Sequence, residues 1–425
     1  KLLNAEIDRK TKALAMQEHE EWDSVETLQD WEEFRDKRLP HLRQALGDFP
    51  ERKSDLDYQV TSTFRGDGYQ ILNITFQSRP GFYVAANLYL PEKPGGKMPG
   101  MISLPAHHYP KTHGEMKDCG MVWARAGVAV LIMEHIGFGE RLETSPLYRQ
   151  AYESEYILSQ QLELVGQSLQ GWVVYDVVRT VDLFENLGTI DMEKVILIGS
   201  VTWGGGRRAA PAGLLEERID AQIIYNFGRV YWYGWGTRNL INNRITPWFV
   251  VNAFAPRKLV YAHEFWYEGE EGPGYPQVWV PAWPRYRKVY GLYDKEENLA
   301  TAQGEGLLRA GATEFIPRGD CYMLGTVQRR SLYPILKKWF EIPYPSAADQ
   351  NIPLDSGLSD ARQRSDYPVI KYQEALRRPL DSDVLSIPPT YAERLNRKAL
   401  HQIAYEKGEE LLTRARSRRS ALTTE

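Results

Sequence analysis

The chain has 425 residues, 43% of them hydrophobic and 25% charged, the make-up of a globular protein with material for a large core. A formal net charge of −4 offers no basic field for nucleic acid, and no apolar run approaches the roughly 18 residues that a membrane span needs. Cys119 and Cys321 lie far apart and form no metal or redox motif, so they read as two unpaired thiols.

Residues 1–50 are charged and helical in pattern. Trp31, Phe34, Leu39, Leu42 and Leu46 recur at roughly helical spacing, interrupted by Pro40, before a stop at Gly47-Asp48-Phe49-Pro50. Three β-rich runs follow, Tyr58 to Thr63, Tyr69 to Phe76 and Phe82 to Tyr89. Gly66-Asp67-Gly68 and Arg79-Pro80-Gly81 divide them, which predicts an antiparallel meander. From Gly100 the rhythm alternates. Strands are predicted at Gly100 to Leu104, Val128 to Met133, Val195 to Ile198, Ala221 to Tyr225 and Lys258 to Tyr261. Helices are predicted at Met116 to Arg125, Leu169 to Leu187 and Arg207 to Leu215. Either Leu299 to Thr301 or Phe315-Ile316 supplies a last strand, closed by a helix from Arg329 to Phe340. A charged helix from about Tyr391 to Arg416 ends the chain, with the basic cluster Arg414 to Arg419 solvated. Strands alternating with helices imply an α/β fold with a mostly parallel sheet and helices on both faces. The division expected is a helical extension over 1–50, the α/β domain over 51–345 and a C-terminal extension over 346–425. The chain begins at Lys1 without methionine or a signal-peptide pattern, so the expectation is a processed or incomplete N-terminus.

In an open parallel sheet, chemistry collects at the carboxyl ends of the strands. The residues falling there are His107 and His108, Glu134 and His135, Ser200 to Gly206, Tyr225-Asn226 and His263-Glu264. The central stretch is Lys194 to Ala212, KVILIGSVTWGGGRRAAPA: four apolar strand residues, a glycine-rich turn and a helix. That geometry lifts a side chain or a row of backbone N–H groups above the sheet. A nucleophile elbow needs G-x-S-x-G, and here Ser200 arrives one place early, directly after Gly199.

Taken together these pieces resemble an α/β-hydrolase of the acetyl xylan esterase type. The resemblance rests on motifs in a shared order. These are Trp31 to Pro50, the loop His107-His108-Tyr109-Pro110, and Glu134-His135-Ile136-Gly137-Phe138-Gly139-Glu140-Arg141. Asp191 to Val195 and Ala255-Pro256-Arg257-Lys258-Leu259-Val260 complete the set. It covers roughly residues 28–345 and implies a serine-type carboxylic-ester hydrolase acting on an acylated carbohydrate, secreted or periplasmic, without a cofactor. The oxyanion loop falls on His107, His108 and Tyr109. Aligned from the strand, the nucleophile position falls on Val201; aligned from the triple glycine, it falls on Trp203. The histidine expected before the last helix falls on or near Asp320.

Two arrangements of the site follow. In one, Ser200 attacks the ester, His263 or His108 takes its proton, and Glu264 or Asp320 orients the base, with Thr202, Trp203 and Gly204 lining the pocket. Because consecutive strand residues face opposite ways, at most one of His263 and Glu264 faces a given site. In the other, catalysis is lost and a ligand- or glycan-binding cleft remains, lined by Tyr225 to Trp235. A zinc site from His107, His108, His113, His135 and His263 lacks any tight ligand pair, so no metal is expected. The partners expected are a small-molecule or carbohydrate ester, with no nucleic acid and no membrane span; self-association is left open.

Overall fold

The structure, a computed structural model, describes residues 2–52, 55–105, 110–143, 150–200, 205–228, 230, 240, 243–263, 282–303, 324–352, 379–388, 392, 395 and 397–422. Among these, nine strands form one sheet. They are β1 (Gln59–Arg65), β2 (Tyr69–Arg79), β3 (Phe82–Pro91), β4 (Met98–Leu104), β5 (Ala129–Met133), β6 (Ile190–Gly199), β7 (Ala221–Tyr225), β8 (Lys258–His263) and β9 (Leu299–Gln303). Their spatial order is β1-β2-β3-β5-β4-β6-β7-β8-β9. The first three strands make the expected antiparallel meander, which joins β5 antiparallel. From β5 onward every pairing is parallel.

The main helices among the described residues are α1 (Leu2–Asp23), α2 (Leu28–Asp36), α3 (Leu39–Leu46), α4 (Gly114–Arg125), α5 (Gln150–Leu164), α6 (Leu169–Leu187), α7 (Arg207–Leu215), α8 (Pro247–Asn252), α9 (Trp283–Leu292), α10 (Thr326–Phe340) and α11 (Leu400–Leu422). None is long and apolar enough to cross a membrane. The side-chain alternation along β6 divides the core. Val195 and Leu197 join one buried cluster with α6, α7, α8, α9 and the N-terminal helices. Ile196 and Ile198 join the other, with α4 and α10. Both faces are therefore covered, as near-continuous apolar strands require.

The N-terminal helices belong to the first of these cores rather than lying apart from it. Trp22 packs edge-on against Trp31 and Trp248, with centroids 6.2 and 4.8 Å apart. Glu18 of α1 is buried and accepts hydrogen bonds from Trp248 Nε1 (2.8 Å) and Arg285 (3.0 Å). Among the described tryptophans, Trp31, Trp123 and Trp248 are fully buried.

Many elements lie where the sequence places them; β6 starts earlier, at Ile190, α10 starts at Thr326, and α8 and α9 were not foreseen. Of the two alternatives for the last strand, Leu299–Gln303 is in the sheet, while Phe315-Ile316 lies outside the described residues. Helix α5 had no clear sequence signal, because Leu158 and Leu162 are the buried anchors it contributes among its described side chains. The C-terminal helix starts at Leu400 instead of near Tyr391, itself outside the described residues, and packs Leu400 and Ala404 into the cluster with α5.

The approach of α6 to α3 is tight enough to test. A Cβ at Gly171 would lie 1.8 Å from the Leu46 carbonyl oxygen, a backbone atom that cannot turn aside. Gly171→Ala is therefore expected to destabilise the fold by about 1–3 kcal/mol, read as a lowered midpoint in chemical denaturation with unchanged slope.

Candidate active site

Because β4 to β9 run parallel, their carboxyl ends share one edge. Strand β6 occupies the middle of it and leads directly into the glycine turn. Two glycines allow the chain to reverse there. A Cβ at Gly199 would meet the Ala209 Cβ and the Gly205 carbonyl oxygen at 2.6 Å. A Cβ at Gly205 would meet the Leu104 carbonyl oxygen at 2.3 Å and the Ser200 nitrogen at 2.5 Å. The helix α7 thus begins pressed against the end of its own strand, closed by a hydrogen bond from Gly205 N–H to the Ser200 carbonyl (2.6 Å).

Ser200 is the first residue beyond β6 and is fully buried. Its N–H donates to the Leu104 carbonyl at 3.2 Å, and its hydroxyl lies 3.5 Å from the same oxygen. In this arrangement the hydroxyl faces the end of β4. Thr202, Trp203 and Gly204 lie outside the described residues, as do His107, His108 and Tyr109 after β4, Glu264 after β8, and Asp320. The backbone of His263 ends β8, paired with Gln303 of β9, and its side chain lies outside the description. The structure therefore places Ser200 and His263 on one edge with β7 between them.

The other two histidines of the candidate set have defined settings. His113 caps α4 through Nδ1, facing the Glu115 N–H at 3.4 Å. His135 is buried, its Nε2 at the Pro105 carbonyl and its ring edge-on to Phe138. Among the described residues no group of three His, Cys, Asp or Glu side chains could hold a metal ion. Cys119 is buried in α4, where burial pushes its thiol up to about 12, far from a reactive thiolate.

A titratable cluster that joins Glu134 and Glu140 to Lys111 lies beside this edge. Glu134, immediately after β5, is fully buried, and Oε1 accepts the Lys111 N–H at 3.1 Å. Its Oε2 has no hydrogen-bond partner among the described residues. Gly139 makes room for it: a Cβ there would lie 2.1 Å from that oxygen. Burial pushes the Glu134 carboxyl up to about 7, a rise that the Lys111 charge opposes. Glu140 is ion-paired to the buried Lys111 ammonium at 2.9 Å, and Arg141 is paired to buried Asp176 at 2.8 Å. The available sequence signal was Gly137-x-Gly139-Glu140-Arg141, whose two glycines both have positive φ (84° and 44°). Lys111 gave no signal.

The raised carboxyl makes stability depend on pH. The folded chain keeps a proton on Glu134 that the unfolded chain releases between about pH 4.5 and 7. The associated stability is thus full below that window and lost as pH rises through it. Glu134→Gln, which is neutral throughout, is expected to flatten this slope. Relative to the parent chain it should gain up to about 3 kcal/mol between pH 4.5 and 8, measured by denaturant titration at both pH values.

The comparisons with known proteins agree with this fold. The profile of the acetyl xylan esterase family (AXE1) matches residues 10–231, more than half of the chain. No curated protein matches it in sequence. Among solved structures, the chain is similar to a methylesterase, BT1017, with a TM-score of 0.60 at 16% identity over 95% of this chain and 81% of that one. It is also similar to a Bacteroides fragilis protein, BF1801, described as a candidate acetyl xylan esterase. That match has a TM-score of 0.52 at 14% identity, over 77% of this chain and 86% of that one. At such identities the structures show a shared α/β-hydrolase fold, and the family match carries the rest. The chain belongs to the acetyl xylan esterase family of carboxylic-ester hydrolases.

Proposed function

We propose that the protein hydrolyses a carboxylic ester on an acylated carbohydrate, with its chemistry at the turn after β6. The observation that carries this reading is the glycine crossing. Gly199 and Gly205 press α7 onto the strand end, and the Gly205 N–H closes on the Ser200 carbonyl near the centre of the carboxyl edge. Such a turn can present both a hydroxyl and backbone N–H donors to an ester carbonyl.

Two hydroxyls are available in this turn, Ser200 and Thr202. With Ser200 fixed as the residue following the strand, Thr202 is the middle position of the five-residue stretch Ser200 to Gly204. In the proposed reaction the hydroxyl oxygen attacks the acyl carbon while His263 or His108 takes its proton. Backbone N–H groups of the turn and of the loop after β4 hold the oxyanion. The base then returns the proton to the departing sugar oxygen, and water releases the acyl group by the same steps. Glu264 or Asp320 would orient the histidine.

A second reading is favoured by one observation. The Ser200 hydroxyl is buried against the Leu104 carbonyl, the setting of a structural serine, which fits a cleft that binds an acylated glycan without cleaving it.

The deciding measurement is hydrolysis of 4-nitrophenyl acetate by the protein and by Ser200→Ala and Thr202→Ala, each with and without chelator. A nucleophile is expected to lose at least about 10³-fold in kcat on substitution, with no response to chelator. If both variants keep full activity, the turn is not the site of attack. If the folded parent shows no hydrolysis of activated or sugar acetates, the binding reading replaces the hydrolase.

A further inference from the structure

Lys111 carries a charge that the proposed hydrolysis does not use. Its side chain is fully buried, and a buried ammonium is tolerated only where several partners meet it. Nζ is ion-paired to Glu140 Oε2 at 2.9 Å and donates to the Val384 carbonyl. The backbone N–H of the same residue goes to Glu134. Glu140 in turn accepts N–H bonds from Ser386 (2.9 Å) and Ile387 (2.6 Å). One lysine therefore joins the segment after β4, the turn after β5 and a piece of chain more than 240 positions away.

That distant piece, residues 380–387, is fastened along its length. Asn73 Nδ2 donates to the Asp383 carbonyl (2.7 Å) and Asn87 Nδ2 to the Val384 carbonyl (2.8 Å). The Ser386 hydroxyl donates to the Ala86 carbonyl (2.8 Å), and Lys117 pairs with Asp381 (2.6 Å). Val384 itself is fully buried in the core against α4. The segment is a strap across β2 and β3, and among the described residues it meets the carboxyl edge through Lys111 and Glu140.

The position of Lys111 in the chain gives this arrangement a consequence for the reaction. It stands three residues after His108 and two after Tyr109. On the other side of those residues the chain is held where His135 Nε2 meets the Pro105 carbonyl. A buried ion pair gives little net stability over an apolar replacement; what it fixes is one geometry in which separate segments meet.

We propose that Lys111 is a positioning residue for the loop after β4, held in place by the C-terminal strap. This rests on the reading of the protein as an ester hydrolase whose oxyanion donors include that loop. Displacing such donors by a fraction of an ångström to about 1 Å costs transition-state stabilisation more than substrate binding.

The test uses the full chain with Lys111→Met, which keeps the length of the side chain without its charge. Per folded molecule, kcat on 4-nitrophenyl acetate is expected to fall about 10- to 100-fold, with KM changed less than about 3-fold. Amide hydrogen exchange over 105–111 should accelerate together with that over 380–387. Glu140→Gln should move both readouts in the same direction by less, and it carries the test if Lys111→Met does not fold. Asp381→Asn, at the solvent-facing anchor of the strap, should move neither. An unchanged kcat in folded Lys111→Met would overturn the proposal, as would exchange that speeds up in the strap but not in 105–111. If the parent chain hydrolyses no ester, the hydrolase reading fails by itself. The exchange result then still decides whether the strap holds the loop.

Discussion

The close crossing of α7 over the end of β6 is the constraint around which the rest of the chain is arranged. Two absent Cβ atoms, at Gly199 and Gly205, permit it. Because the helix starts in contact with its strand, its alanine-rich stretch, Ala209, Ala210 and Ala212, lies buried in the core that α6, α8 and the N-terminal helices also fill. The same crossing puts the Ser200 N–H on the Leu104 carbonyl and so ties the end of β6 to that of its neighbour β4. A side chain at either glycine would have to lift the helix, and the turn with it. Packing and site geometry are here one requirement.

Where a segment is buried on both faces, its sequence shows it plainly. The parallel strands read as short apolar runs, and α6 and α7 have the boundaries their periodicity predicts. Helix α5 was obscure because it is amphipathic only weakly, with two anchoring leucines. The site divides in the same way. That Ser200 and His263 end strands of one parallel sheet could be read from the alternating elements; that β7 lies between them is set by a strand order the sequence did not show. That the Ser200 hydroxyl faces the Leu104 carbonyl could not be read. It depends on the register between β4 and β6, in which Leu104 lies opposite Gly199. A serine beside a glycine looks available in sequence whether it points to solvent or to a neighbouring strand.

The Lys111 cluster was hidden for a different reason. Its members lie at 111, 134, 140 and 384–387, and no local pattern connects positions so far apart. Glu134 and Glu140 had a visible context, the strand end and the Gly-x-Gly-Glu-Arg stretch that follows it, while Lys111 and the distant segment had none. In sequence that stretch shows two glycines, an acid and a guanidinium after a strand, with nothing to say where the charges point. In the structure the charges are turned inward. Arg141 reaches Asp176 in the middle of α6 and the Glu134 carbonyl, while Glu140 holds Lys111 and the strap.

This inward use of charge explains why the glycines are needed. A turn that aims two consecutive charged side chains at different buried partners must reverse sharply, and positive φ at Gly137 and Gly139 provides the reversal. Gly139 has the further demand that its missing Cβ leaves the space occupied by the Glu134 carboxyl. That carboxyl, with one oxygen unpartnered among the described residues, is kept protonated toward neutrality by burial. A neutral Glu134 beside Lys111 leaves the ammonium to Glu140, so that one carboxylate balances one ammonium. Above about pH 7, where Glu134 ionises as well, the cluster buries two carboxylates against one ammonium, and this is the stability lost on that side of the window. The motif is best understood as a junction: it fixes the turn after β5 to α6 through Asp176 on one side and to Lys111 in the segment after β4 on the other.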